Sequence, residues 1–263
     1  MSAVRTWRPP SPWGRRWIGP VVWAAVGAFL VWNAVSLHVD PARVSRGLAR
    51  FGAVAARAFP PNFERLGLLA SGVWESVEMA TLSTLFGVAL GIPVAVLAAR
   101  NVVPLPVYAG GRGAITLART FHELIVAIVF VKAVGFGALA GTLTLTLNSL
   151  GFFSKLLAEQ IETIDRGQIE AIRATGASPA AVLVYGVLPQ VLPRIVGLTI
   201  YQWDIHLRQS TIIGIVGAGG IGATLYNAFA RYDYDFALAI LLVIVAIVLV
   251  GEAVSAVARR RVQ

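Results

Sequence analysis

Apolar runs of membrane-crossing length recur along this 263-residue chain. A helix needs ~20 predominantly apolar residues to cross ~30 Å of hydrocarbon. Lipid offers no water, so a spanning segment must satisfy its own backbone polar groups, which leaves helices or closed barrels. The runs here are continuous rather than alternating, and so read as helices. The expectation is an all-α integral membrane protein with about six transmembrane helices, near residues 18–37, 77–98, 117–134, 143–157, 194–216 and 236–257. Pro93 would kink the second of these.

Composition agrees. Hydrophobic residues make up 57% of the chain and charged residues 13%, where a soluble domain carries about 25% charged. No sizeable soluble domain fits beside the spans. The net charge of +9 does not point to nucleic acid, because 20 of the 22 basic residues are Arg and most lie just outside the apolar runs. That is a topology signal. Placing both termini inside puts fourteen basic residues in cytoplasmic segments and six in outer ones. The chain is therefore expected as a multi-pass protein of a bacterial inner or cell membrane, with cytoplasmic N- and C-termini. Cysteine is absent, so there is no disulfide framework, thiolate metal site or cysteine nucleophile.

The organisation expected is a cytoplasmic tail (1–17), a first transmembrane helix with an outer loop (18–75), a transmembrane core (76–258) and a second cytoplasmic tail (259–263). The first span also reads as a secretory signal, but it is long for one and its cleavage site is poor. Residues 41–58 set Val44, Leu48, Phe51 and Ala55 on one helical face and arginines largely on another. That suits an amphipathic helix on a membrane surface or a solvated loop helix. Residues 101–113, rich in Pro and Gly, read as a loop, and residues 135–141 as a turn.

Residues 165–192 are polar for such a chain. Asp165 is a candidate N-cap for a helix over 168–174, Gly176 breaks it, and Ser178-Pro179 opens a second short helix that Leu188-Pro189 ends. Two short helices at an angle would form a knob on the cytoplasmic face, or else a re-entrant connector.

The spacing is specific. Glu170-Ala171, Gly176 and Leu188-Pro189 resemble the coupling motif of ABC importer permeases: Glu-Ala-Ala, three residues, Gly, nine residues, Ile, one residue, Leu-Pro. Two positions depart, with Ile172 for the second Ala and Gly186 at the Ile position. The run Val216-Gly217-Ala218-Gly219-Gly220-Ile221-Gly222 resembles methionine- and phosphonate-type permeases, and residues 76–82, 119–136 and 201–211 look like phosphonate permeases. The resemblance covers about residues 70–258 and implies the type I importer transmembrane fold. It implies a cytoplasmic ABC ATPase dimer that receives the coupling helix between spans four and five. Glu170 and Arg173 would make polar contacts there, Ala171, Ala174 and Gly176 would allow close approach, and Leu188 and Pro189 complete the motif. It also implies a second permease chain, expected as a homodimer, and an extracytoplasmic phosphonate-binding protein. This chain would catalyse no covalent chemistry and bind no cofactor, ATP and Mg belonging to the partner ATPase.

The glycine run lacks the GxxxxGK[ST] phosphate loop, and reads as flexible backbone at a gate or pore mouth, with Gly217, Gly219 and Gly220 as candidates. Charges inside spans usually face the bundle interior. In span five, Tyr201, Asp204, Arg208 and Thr211 share one stripe, and Gln202, His206 and Gln209 a neighbouring one. Asp204 and Arg208 read as an ion pair that holds helix packing, a lining of the translocation path, or both. Arg119 and Glu123 read as an interfacial i,i+4 pair, with Glu123 also a candidate for the path. Lys132 would snorkel or attract an anionic substrate. No metal-ligand spacing or nucleophile triad is present. Two rivals remain: a permease of the same fold for methionine or phosphate, and an ion-driven secondary transporter.

Overall fold

The computed structural model describes residues 17–37 and 40–262; those residues fold into helices with no strand among them. They divide into two compact units, Met1–Ala56 and Arg57–Gln263. The expected tail 1–17 lies, but for Trp17, outside the described residues.

In the first unit, α1 (Ile18–Ser36) buries none of its residues, and Trp23 and Trp32 are 74% and 70% exposed. A helix apolar on every side and uncovered by protein is matched to lipid. Helix α2 (Pro41–Ala58) starts where the Asp40 carboxylate accepts the Ala42 N–H at 2.9 Å. Its stripe of Val44, Leu48 and Phe51 stays exposed.

The second unit contains α3 (Leu66–Leu97), α4 (Leu105–Thr120), α5 (Glu123–Val134), α6 (Ala138–Glu162), α7 (Arg166–Ala174), α8 (Pro179–Val182), α9 (Leu188–Gly214), α10 (Gly220–Ala230) and α11 (Tyr234–Val262). Its most extensive pairing is α3 on α6. Small residues permit it. Gly91 of α3 lies so close that a Cβ would stand 2.8 Å from the Phe153 ring, and Gly87 meets Ser149 more tightly still. Ser83 donates to the Thr142 carbonyl at 3.1 Å and Ser154 to the Gly91 carbonyl at 3.0 Å. Close backbones joined by hydroxyl hydrogen bonds are how helices associate where no hydrophobic drive exists between them.

Several boundaries differ from expectation. Among the described residues, four helices are long and apolar enough to cross a membrane, or five if α4 and α5 count as one bent span, where six spans were expected. Helix α6, the expected fourth span at 143–157, is longer than expected at 25 residues, yet too polar to stand among the four. Its Thr142, Thr144, Ser149 and Ser154 are buried against neighbouring helices, and so escape lipid. The expected second span starts at Leu66 rather than at 77. The expected loop at 101–113 is mostly helix α4: Pro106 sits in the first turn, where its missing N–H costs nothing, and Gly111 packs on the backbone of Leu97. The expected third span is broken at Phe121-His122, where the chain bends by 84° and the His122 ring accepts the Leu124 N–H. The turn expected over 135–141 closes by Gly137. Helix α11, the expected sixth span, runs through Arg259 and Arg260 instead of ending before them.

Candidate functional site

The Asp165 carboxylate accepts the Gly167 N–H at 2.9 Å and starts α7. Gly176 follows at φ +75°, the left-handed region that glycine enters without strain. The Ser178 hydroxyl accepts the Ala181 N–H and Pro179 occupies the first position of α8. These caps stand where the sequence places them. Leu188-Pro189 does not end the second helix, however. A wide π-turn over Leu183–Val187 carries it into α9, so that Pro179–Gly214 forms one 36-residue element. Proline lacks an N–H and its ring crowds the carbonyl four residues back, here that of Tyr185. The widened turn moves that carbonyl aside and lets the helix continue.

Glu170, Ala171, Arg173, Ala174, Gly176, Leu188 and Pro189 are all exposed. Beneath them Ile169 is 7% exposed and joins Val182, Val187, Phe153 and Leu157 in one apolar cluster. The turn thus presents polar and small residues outward while its underside is fixed to the bundle. Gln190, outside the coupling motif, ties it down: its amide donates to the Gly186 carbonyl at 2.7 Å and its oxygen accepts the Asp165 N–H at 3.0 Å. The two departures from the motif meet each other. A Cβ on Gly186 would lie 3.2 Å from the Ile172 Cδ1, so the larger side chain at 172 occupies the space released at 186. A cavity of about 720 Å³ beside the turn is lined by Arg100, Arg166, Arg173, Glu162 and Glu170.

The polar residues of α9 part company. Asp204 is buried and holds Arg208 at 2.8 Å, while the Arg208 side chain is 41% exposed. His206 is fully buried, its Nδ1 2.9 Å from the Thr84 hydroxyl and its Nε2 2.9 Å from the Gln202 amide nitrogen. Thr84 spends its single hydroxyl proton on the Ala80 carbonyl, so Nδ1–H donates to Thr84 and Nε2 accepts from Gln202. Tyr201 is exposed against the Phe152 ring, and Thr211 is half-buried with its hydroxyl on the Arg208 carbonyl. Of this set, Tyr201, Arg208 and Thr211 reach the surface of the chain, whereas Asp204 and His206 are enclosed.

Glu123 does not pair with Arg119, because the bend at residues 121–122 removes the helical register between them. Its carboxylate accepts from the Gln209 amide and, at 3.3 Å, from Asn148, joining α5, α6 and α9. Lys132 stands exposed in the last turn of α5. Thr84 and Asn148 were not expected as partners; the polar alternation of residues 142–149 was the available signal. No group of three or more His, Asp or Glu suited to a metal occurs among the described residues.

At the end of α9 remote from the Gly176 turn, Gly217, Gly219 and Gly220 all have positive φ. The Gly137 N–H donates to the Gly217 carbonyl at 3.0 Å. A Cβ on Gly219 would stand 2.6 Å from both the Ala138 nitrogen and a Glu75 carboxylate oxygen. The Ser76 hydroxyl accepts the Ile221 N–H and anchors α10, a helix not expected from the sequence. A cleft of about 620 Å³ opens here between Glu75, Phe136, Val216 and Tyr226.

Residues 91–263 match the family model of binding-protein-dependent transport system inner membrane components. The phosphate-import permease protein PhnE of Mycolicibacterium smegmatis is 40% identical over 92% of this chain, which spans 45% of that protein's length. The phosphite transport system permease protein PtxC of Stutzerimonas stutzeri is 40% identical over 84% of this chain and 81% of its own. The inward-facing MetNI methionine ABC transporter contains a chain that matches with a TM-score of 0.67 at 25% identity, covering 77% of this chain and 99% of that one. The fold is that of the type I ABC importer permeases.

Proposed function

The chain belongs to the binding-protein-dependent transport system inner membrane components, and from that membership we propose that it is the permease subunit of an ATP-driven importer for a phosphorus oxyanion. The coupling turn carries this reading. Its motif residues reach the surface together on a capped element whose underside is fixed in the core. A transporter driven by ions has no use for such a dock. The partners are a cytoplasmic ABC ATPase pair, which binds ATP and Mg and hydrolyses ATP, a second copy of this chain, and an extracytoplasmic binding protein. The coupling turn then faces the cytoplasm, as do both termini. Closure of the ATPases on ATP pushes the turn, and the continuous Pro179–Gly214 element carries that push along α9 to the glycine-rich end. The cargo class is supported by the phosphate- and phosphite-permease relatives.

The test is reconstitution in liposomes with the cognate ATPase and binding protein. Uptake of phosphonate, phosphate or phosphite that requires both partners and ATP is expected. Methionine uptake in its place would overturn the cargo assignment, and uptake by this chain alone on an ion gradient would overturn the class.

A further inference from the structure

A second cavity, of about 770 Å³, opens between α6, α9 and α11 at the end of the bundle that bears the coupling turn. Leu156 and Gln160 of α6, Arg194, Gly197 and Tyr201 of α9, and Arg259 of α11 line it. Its size falls in the ~300–1,000 Å³ range of small-molecule sites. Among the described residues no carboxylate lines it, unlike the cavity beside the coupling turn, where Glu162 and Glu170 stand among the arginines. Two guanidinium groups therefore face one space with no counter-charge from the described residues.

The Arg259 Nη1 is buried with no hydrogen-bond partner among the described residues. A buried charged donor without an acceptor is costly, on the order of 1–3 kcal/mol or more. What it lacks is an acceptor, and an anion supplies one. Gly197 keeps the space open: nothing lies within 4 Å of where its Cβ would stand. Arginine forks match tetrahedral oxyanions with paired N–H donors, and Gln160 and Tyr201 add neutral donors.

We propose that this cavity is a binding site for a phosphorus oxyanion carrying an organic substituent, held by Arg194 and Arg259. Basic pockets between transmembrane helices take phospholipid head groups, and a free organophosphonate presents the same group. The choice of probes rests on the function proposed above; the binding test does not depend on transport.

The full chain in nanodiscs supplies both arms. In neutral phosphatidylcholine discs, methylphosphonate binding is followed by calorimetry. In discs containing phosphatidylglycerol, lipid retained on the protein is counted by native mass spectrometry. Binding in the first arm assigns the site to a soluble oxyanion, and in the second to a lipid head group. In either, Arg194→Gln and Arg259→Gln should each weaken binding about tenfold, as expected for one lost charge-assisted hydrogen bond. Gly197→Leu should abolish it by filling the cavity. Arg260→Gln, an equal change of charge at an exposed neighbour, should leave it unaltered. Thermal melts identify any variant that has unfolded, and the arginines stand on different helices, so one failure leaves the other informative. No binding in either arm, or equal weakening by Arg260→Gln, overturns the proposal.

Discussion

The two ends of α9 both turn on glycines at positive φ, but they are built differently. At the coupling turn nothing lies within 4 Å of where a Cβ on Gly176 would stand. The turn is held by side chains: the Asp165 and Ser178 caps, the Gln190 clamp and the Ile169 anchor. At the other end Gly219 lies against the backbone of Ala138 and the carboxylate of Glu75. There backbone packs on backbone, and side chains contribute less. Neighbouring side chains can be resized; a neighbouring peptide unit cannot. The first end should therefore tolerate compensated change and the second should not.

The largest effect is expected at Gly219. Gly219 stands at φ +83° and ψ −169°, a region essentially reserved for glycine, so alanine there meets a backbone strain of about 1–3 kcal/mol and an overpacking cost of about 1–3 kcal/mol. Gly219→Ala should lower the melting temperature of the purified chain sharply or abolish its accumulation in membranes. No partner substitution should restore it, because the obstructing atom is the Ala138 nitrogen. A variant that melts like the wild type would remove the distinction between the two ends.

How far each end was legible follows from the same contrast. The coupling turn was readable residue by residue, because caps and a helix-ending glycine are local rules. Its continuation past Pro189 was not, since a π-turn depends on the helix it joins. The glycine-rich end was readable as irregular backbone, but the close contact of Gly219 with Ala138 links residues far apart in sequence. Span counting by hydropathy met a similar limit. It treats each helix as lipid-facing, whereas α6 buries its threonines and serines against α3 and α9. The Arg119–Glu123 pairing failed because it assumed helix through a bend that the His122 cap creates. The bearing of Asp204 and His206 toward the interior is a tertiary fact; spacing fixed only their stripe.

A smaller effect is expected where Ile172 meets Gly186. Gly186→Ile adds a branched side chain 3.2 Å from the Ile172 Cδ1 and should cost about 1–3 kcal/mol in a melt. Adding Ile172→Ala moves the volume to the other partner and matches the family pattern at both positions. The double variant should recover most of the loss, a coupling energy within the roughly 0.5–3 kcal/mol found for residues in contact. A double variant no better than the sum of the singles would show that the turn is as rigid as the glycine-rich end, against the distinction drawn above.

The smallest effect on stability is expected at Gly176, where only the backbone conformation opposes a side chain. Gly176→Ala should cost about 1–2 kcal/mol, with no added steric cost because the surrounding space is open. Gly176→Asn should cost less, since asparagine enters the left-handed region more readily than alanine. The functional readout should depart from this order. If the turn docks in an ATPase groove, any side chain at Gly176 stands in the interface, so both variants should reduce transport-coupled ATP hydrolysis by more than their melts indicate. Measuring ATPase stimulation and melting on the same assembled complexes separates the two costs. Coupling that tracks stability alone would leave Gly176 a helix stop and nothing more, and would move the dock to the outward face of Glu170, Ala171 and Arg173.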